Sequence, residues 1–192
     1  ASPGSKTTQM AAMMKNKGII VANDIKPDRM KSLILNLQKC GVQNVLTTMQ
    51  EGRKFFGYQF DKVLIDAPCS GTGTIKKSLK TINIWNPRMI KRLSYIQKKL
   101  LLTGFENLKQ GGVLVYSTCS VEPEENEGVV SWLLEKRDDA KVEEIKLDIK
   151  KSDPVIEFEG EEYNPEVKKT LRIWPQDNDT CGFYVAKIRK LN

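Results

Sequence analysis

Val63-Leu64-Ile65-Asp66-Ala67-Pro68-Cys69-Ser70-Gly71-Thr72-Gly73 is the stretch that decides how this chain folds. Three apolar residues in a row, bounded by a carboxylate and a proline-stiffened turn, read as a buried strand closing on a loop. Strands covered on both faces belong to α/β folds with a parallel sheet. In such sheets ligands bind outside the carboxyl ends of the strands. Asp66 and Cys69 stand at that end, and the small residues 70–73 let a ligand approach the backbone. A buried structural cysteine is the plain alternative.

Working outward, Pro87 begins a long helix reaching about Asn107, with Ile90, Leu93, Ile96, Leu100, Leu101 and Phe105 on its inner face. Gly111-Gly112 should end it. The next strand is Val113-Leu114-Val115-Tyr116-Ser117-Thr118, and it delivers a second thiol, Cys119. Two cysteines at the ends of two neighbouring strands converge on one cleft. Pro123-Glu124-Glu125 opens a further helix, with acids placed at its N-terminus. Lys141–Leu147 alternates as a strand, residues 148–170 read as an irregular loop, and Gly182–Ile188 is the final strand.

Upstream, Ala1 to Thr7 form a small-residue turn running into a helix near Lys6–Lys15. Ile19–Ala22 is a buried strand, Pro27-Asp28 starts a helix with Met30, Leu33, Ile34 and Leu37 at helical period, and Gly41 ends it. Val45–Met49 is another strand. Alternation of strand and helix gives an α/β fold with a mostly parallel sheet and helices on both faces. No strong helix separates the last two strands, so they are expected to pair antiparallel at one edge. The chain starts inside a turn that ought to follow a strand, which leads to the expectation of an N-terminally truncated piece lacking its first strand.

The chain has 192 residues, 40% of them hydrophobic and 29% charged, a globular balance sized for one domain. No apolar run is long enough to span a membrane. Histidine is absent, which excludes Ser-His-Asp hydrolases, Cys-His proteases and His-Cys-Cys zinc deaminases. Cys40, Cys69, Cys119 and Cys181 form no Cys-x-x-Cys pair, so no metal site is expected. Unpaired cysteines fit a reducing compartment, and a cytoplasmic location is expected. Net charge is +7, yet residues 67–109 alone carry nine basic residues against one acid, Glu106. Such a block favours a polyanionic partner, although a solvated helix face would look the same.

Asp24 ends the strand that follows the opening turn, 20 residues after Gly4. A small-residue turn before a helix, with an acid at the end of the next strand, suits the ribose of an adenosyl ligand, NAD or S-adenosylmethionine alike. Glu51 could hold the adenine edge or simply cap a loop. Two thiols, a carboxylate, an adenosyl site and no histidine suit one reaction well. Cytosine C5 is not nucleophilic until a thiolate adds to C6, after which C5 can attack a methyl sulfonium.

At these residues the chain resembles the RNA cytosine-5 methyltransferases of the Sun/nucleolar-protein family. The resemblance rests on Ala1–Thr7, Asp66–Gly73, Tyr116–Glu127 and Gly182–Lys187, with Trp85 and Gln97 between the blocks, and it covers essentially the whole chain. It implies a Rossmann-like class I methyltransferase domain over residues 1–192, without the N-terminal RNA-binding region, using S-adenosylmethionine on tRNA or rRNA. It implies that Cys119 attacks C6, that Cys69 assists breakdown of the covalent intermediate, and that Asp66 contacts the cytosine beside the methyl donor. It implies a cofactor site at Ala1, Pro3, Gly4, Ser5, Lys6, Asp24, Arg29, Glu51 and Asp66. Ser2, Ser5 and Glu51 depart from the family's preferred Ala, Gly and Asp. A DNA cytosine-5 methyltransferase, with Cys69 as the attacker, and a non-catalytic RNA-binding module of the same fold remain as alternatives. Lys76, Lys77, Lys80, Arg88, Lys91 and Arg92 are candidates for tracking phosphates.

Overall fold

In the computed structural model, which describes residues 1–192, the elements follow the punctuation of the sequence. The chain divides into two units, Ala1–Phe55 and Phe56–Asn192. No helix is long and apolar enough to cross a membrane.

The first unit runs α1 (Ser5–Met13), β1 (Ile20–Asp24), α2 (Pro27–Lys39) and β2 (Val45–Met49). Proline is tolerated at the start of α2 because a first-turn N–H has no helical partner to lose. β1 and β2 pair in parallel, from Ile20 opposite Val45 to Asp24 opposite Met49. Met30, Leu33 and Leu37 of α2 pack on Ala22 of β1, with Val42 and Val45 at the margin. Ile34, expected on this inner face, is exposed on its flank. β1 is also less buried than its composition suggests. Only Ala22 and Asp24 are buried in it, and Ile19 lies exposed just before it. The strand has a hydrogen-bonded neighbour on one side only.

The second unit runs β3 (Phe60–Asp66), a short α3 (Lys80–Ile84), α4 (Pro87–Glu106), β4 (Leu108–Thr118), α5 (Glu127–Lys136), β5 (Ala140–Glu143), β6 (Glu157–Phe158), β7 (Glu161–Glu162), β8 (Leu171–Ile173) and β9 (Phe183–Lys190). The main sheet has the order β3-β4-β9-β5, and β8 also pairs with β9. β3 and β4 are parallel, while β9 runs against both β4 and β5. The last two strands read from the sequence, β5 and β9, therefore do pair antiparallel at one edge of the sheet, with β5 outermost and β9 inside it. Tyr184, Ala186 and Ile188 are completely buried along β9, a degree of cover that an edge strand would not have. β3, by contrast, is half-buried, not the fully covered strand its apolar run suggests, because β4 is its only paired neighbour.

Four further boundaries differ from expectation. β4 begins before the glycine pair, which does not end α4 but lies inside the strand. The register there jumps from Phe60 opposite Leu108 to Lys62 opposite Val113, and Gly111 at φ 72° supplies the left-handed kink that the irregularity needs. Pro123–Glu125 form a 3-10 turn, and α5 starts only at Glu127. β5 stops at Glu143, four residues short of Leu147. Within 148–170, β6 and β7 form a small hairpin, and Tyr163 and Val167 enter the core. That core joins Leu101 and Phe105 of α4, Val129, Val130 and Leu133 of α5, Leu114 and Tyr116 of β4, and the inner residues of β9. Full burial of one such side chain stabilises the fold by about 1.5–3 kcal/mol. The core thus fixes the ends of β3 and β4, where the chemistry-bearing residues lie.

Candidate active site

Parallel pairing sets Asp66 opposite Ser117, so the loops leaving β3 and β4 start side by side. Ser117 donates its hydroxyl to Asp66 Oδ1 at 3.1 Å, and the Ala67 N–H donates to the Ser117 carbonyl at 3.0 Å. The loops stay together beyond the strands. The Gly73 N–H donates to the Cys119 carbonyl at 2.9 Å, and the Val121 N–H to Thr72 Oγ1 at 3.0 Å. Gly182, at the entry to β9, donates to the Gly73 carbonyl at 2.8 Å. A Cβ on Gly73 would lie 2.4 Å from the Gly182 oxygen, so only glycine fits this three-way crossing.

The crossing brings together the two cysteines singled out in the sequence. Cys69 Sγ and Cys119 Sγ are 3.0 Å apart, both are free thiols, and both are half-buried. A thiolate is the nucleophilic form of cysteine. The hydrogen bond from Cys69 pulls the Cys119 pKa down to about 7, against burial and against the Asp66 charge. Donating that bond, together with burial, pushes the Cys69 thiol far above the ordinary range. The shared hydrogen bond therefore shifts the two thiols in opposite directions, Cys119 down and Cys69 up.

Below the thiols lies a residue whose part the sequence did not reveal. The Glu125 carboxyl is fully buried. It accepts the Ser70 N–H at 3.0 Å, the Ser120 hydroxyl at 2.6 Å, the Ser70 hydroxyl at close range, and the Gln97 amide at 2.8 Å. Gln97 also donates to the Pro68 carbonyl at 2.8 Å. The completely buried Tyr116 hydroxyl donates to the Glu125 carbonyl at 2.6 Å and braces the 3-10 turn. The acids after Pro123 were expected to complement a helix dipole. Instead, Glu125 serves these loops, and Glu127 pairs with Arg172, itself 1% exposed. Burial of both carboxyls forces each to find donors inside the protein. Trp85 Nε1 donates to Glu122 Oε1 at 3.0 Å, tying the start of α4 to the Cys119 loop.

In the first unit, Gly4 at φ 107° leads into α1, whose first turn has no side-chain cap. Its N–H groups suit an anionic ligand group. Asp24 Oδ2 accepts from the Ala1 amino group and the Ser2 N–H, both at 3.0 Å, while Oδ1 accepts from the Ile25 N–H and Arg29 Nε at 2.9 Å. Burial alone would raise the Asp24 pKa, but these donors hold it well below the ordinary carboxylate range. Arg29 also donates to the Ser2 carbonyl at 2.9 Å, and Asn36 to the Pro3 carbonyl at 2.9 Å. The opening turn, Asp24 and Arg29 thus form one clasp. Glu51 follows β2 at the same end of the two-stranded sheet and pairs with Arg53 and Lys54. Asn23 bridges the two strand ends through Thr48 and Gln50. Ser5 is exposed, and Lys6 is half-buried in the first turn of α1. A carboxylate has about four lone-pair positions. Backbone N–H groups and Arg29 already meet both Asp24 oxygens, so a ribose diol would share or replace one of these donors.

Lys76, Lys77, Lys80, Arg88, Lys91 and Arg92 are all exposed, and Lys76 is paired with Asp179.

Comparison with known proteins agrees with these features. The family model described as 16S rRNA methyltransferase RsmB/F matches residues 1–189. The tRNA (cytosine(49)-C(5))-methyltransferase of Pyrococcus abyssi is 54% identical over 192 residues, covering 99% of this chain and 61% of that protein. The ribosomal RNA small subunit methyltransferase F of Aliivibrio fischeri is 44% identical over 193 residues, covering 99% of this chain and 39% of that protein. A methyltransferase homolog protein from Pyrococcus horikoshii superposes with a TM-score of 0.86 at 39% identity, over 100% of this chain and 59% of that one. The chain therefore spans only part of the length of these relatives. With the family model matched nearly end to end on a chain that carries both cysteine loops, the protein belongs to the 16S rRNA methyltransferase RsmB/F family.

Proposed function

We propose that residues 1–192 act as the catalytic domain of an S-adenosylmethionine-dependent RNA cytosine-5 methyltransferase, with tRNA or rRNA as substrate. The observation that carries this reading is the Cys69–Cys119 thiol pair at the ends of two parallel strands, 3.0 Å between sulfurs. S-adenosylmethionine, when bound, supplies an electrophilic methyl group on a sulfonium. The uncapped first turn of α1 suits its carboxylate, and Asp24 and Glu51 are acceptors suited to its ribose and adenine.

On this chain the reaction is thiol covalent catalysis. Cys119, held near half-ionised at neutral pH, adds its sulfur to cytosine C6. The new S–C6 bond pushes the C5–C6 electron pair to C5, which takes the methyl group. Asp66, at the end of β3, would contact the cytosine. Loss of the C5 proton to solvent water restores the C5–C6 double bond and expels Cys119 as thiolate. Cys69, the thiol that keeps its proton, assists this release. The base would be turned out of its stack to reach the thiols, and the exposed basic residues from Lys76 to Arg92 are suited to the flanking phosphates. Two adjacent free thiols must stay reduced for this chemistry, which favours the cytoplasm.

The test is covalent trapping on RNA containing 5-azacytidine, with S-adenosylmethionine present, read by intact mass. Wild type is expected to form an adduct, Cys119→Ala none, and Cys69→Ala a persistent adduct with unmodified cytosine RNA. Equal methyl transfer by wild type and Cys119→Ala would overturn the assignment. An adduct on DNA but not on RNA would favour the DNA-directed reading.

A further inference from the structure

We infer that Glu125 is the positioning residue of the thiol pair: its buried carboxyl ties the loop carrying Cys69 to the loop carrying Cys119 and so sets the distance between the two sulfurs. The inference deepens the methyltransferase reading and rests on it for its meaning in catalysis.

Ser70 directly follows Cys69, and Ser120 directly follows Cys119. One carboxyl takes both, through the Ser70 N–H at 3.0 Å, the Ser70 hydroxyl, and the Ser120 hydroxyl at 2.6 Å. Ser70 Oγ and Ser120 Oγ also meet at 3.0 Å. The third arm, Gln97, joins the same carboxyl to Pro68, the residue before Cys69, at 2.8 Å on each side. Residues on both sides of Cys69 and the residue after Cys119 therefore converge on Glu125. The group is completely buried, where hydrogen bonds are stronger and an unpaired polar atom is costly. Glu125 itself is held by Tyr116, whose hydroxyl comes from near the carboxyl end of β4. None of these groups touches a sulfur. They act on the thiols through backbone they share with them.

This arrangement makes a prediction whose sign separates positioning from charge. The carboxylate's own charge opposes ionisation of Cys119, but it ranks below the Cys69 hydrogen bond among the influences on that thiol. If Glu125 mattered only as a charge, removing it would lower the Cys119 pKa. If it positions the loops, removing it weakens the Cys69 bond and raises that pKa.

The experiment uses the full chain as wild type, Glu125→Ala, Glu125→Gln and Ser120→Ala. Iodoacetamide labelling of Cys119 is followed across pH by peptide mass, alongside methyl transfer to RNA. Glu125→Ala is expected to raise the labelling midpoint by about one pH unit, a roughly fivefold loss of thiolate at neutral pH. It should lower kcat by a similar factor and leave the RNA KM nearly unchanged. Glu125→Gln keeps the shape and can satisfy every arm. Its oxygen meets the two N–H donors, its amide meets the two hydroxyls, and it should recover most of both readouts. Ser120→Ala removes a single arm and should shift the midpoint upward by less, a readout that survives if Glu125→Ala fails to fold. A folded Glu125→Ala with an unshifted or lowered midpoint overturns the inference, as does Glu125→Gln being as damaging as alanine. Should Glu125→Ala fail to fold, an unshifted Ser120→Ala overturns it. Midpoint shifts as expected in a protein that methylates no RNA would sink the proposed activity and leave the positioning role standing.

Discussion

A methyl group added at Gly73 would lie 2.4 Å from the Gly182 oxygen, 2.8 Å from the Gly182 carbonyl carbon and 2.8 Å from the Cys119 oxygen. All three are backbone atoms, so no side-chain rotation relieves the contact. An ordinary carbon–oxygen approach is about 3.3 Å or more, so the entry to β9 must withdraw by roughly 1 Å. That movement strains the Gly73-to-Cys119 and Gly182-to-Gly73 hydrogen bonds of 2.9 and 2.8 Å. Overpacking of this kind costs about 1–3 kcal/mol, and each weakened bond adds on the order of 1 kcal/mol. Gly73→Ala is thus expected to lower the melting temperature by roughly 5–15 °C for a chain of this size. It should also slow alkylation of Cys119, whose carbonyl the added methyl group crowds at 2.8 Å. Gly104→Ala is the control. Its Cβ meets Ile65 Cδ1 at 2.6 Å, the end of a flexible side chain that can turn away, and the expected loss is smaller. Thermal unfolding and site-resolved alkylation of the three proteins decide the matter. Gly73→Ala melting with the wild type, with unchanged Cys119 labelling, would refute the three-way crossing.

Two further outcomes follow from the site and its support. Cys69→Ala removes the bond that favours the Cys119 thiolate, so the labelling midpoint should rise from about 7 toward the ordinary thiol value. With that value near ~8.5, thiolate at pH 7 would fall from about half to about 3%, roughly fifteenfold, and a midpoint that stays or falls would refute the donor role of Cys69. Glu127→Ala strands the buried Arg172 guanidinium, which donates to that carboxylate at 2.8 Å. Breaking one side of a buried pair costs about 3–5 kcal/mol, to be read by chemical denaturation, while replacing both residues by apolar ones of similar volume should recover much of the loss.

Several elements were legible because their signals are local. Pro27 and Pro87 mark helix starts, the run at Val63–Ile65 marks a strand, and Asp66, Cys69 and Cys119 follow strand ends, which fixes the end of the sheet they occupy. The motif blocks carried the family on sequence alone, and the match over residues 1–189 bears that out. Whether Ala1 to Lys6, Asp24, Arg29 and Glu51 hold a cofactor is a separate matter. The fold shows them bound to one another or to near neighbours, which serves the opening turn whether or not a ligand is present.

Other features needed partners distant in sequence. The place of β9 between β4 and β5 depends on which strands bury Tyr184, Ala186 and Ile188, and alternation along β9 is the same at an edge or in the interior. The half-burial of β3 depends on the number of its neighbours, which its own composition does not encode. Glu125 reads as an ordinary first-turn acid until the fold brings Ser70, 55 residues away, onto its carboxyl. The amino-acid sequence therefore encodes where strands and helices begin and which residues leave the strand ends, since apolar runs, prolines and glycines act over a few residues. The tertiary structure alone brings the two thiols to 3.0 Å across 50 residues and sets a buried carboxyl beneath both loops, because those contacts join segments far apart in the chain.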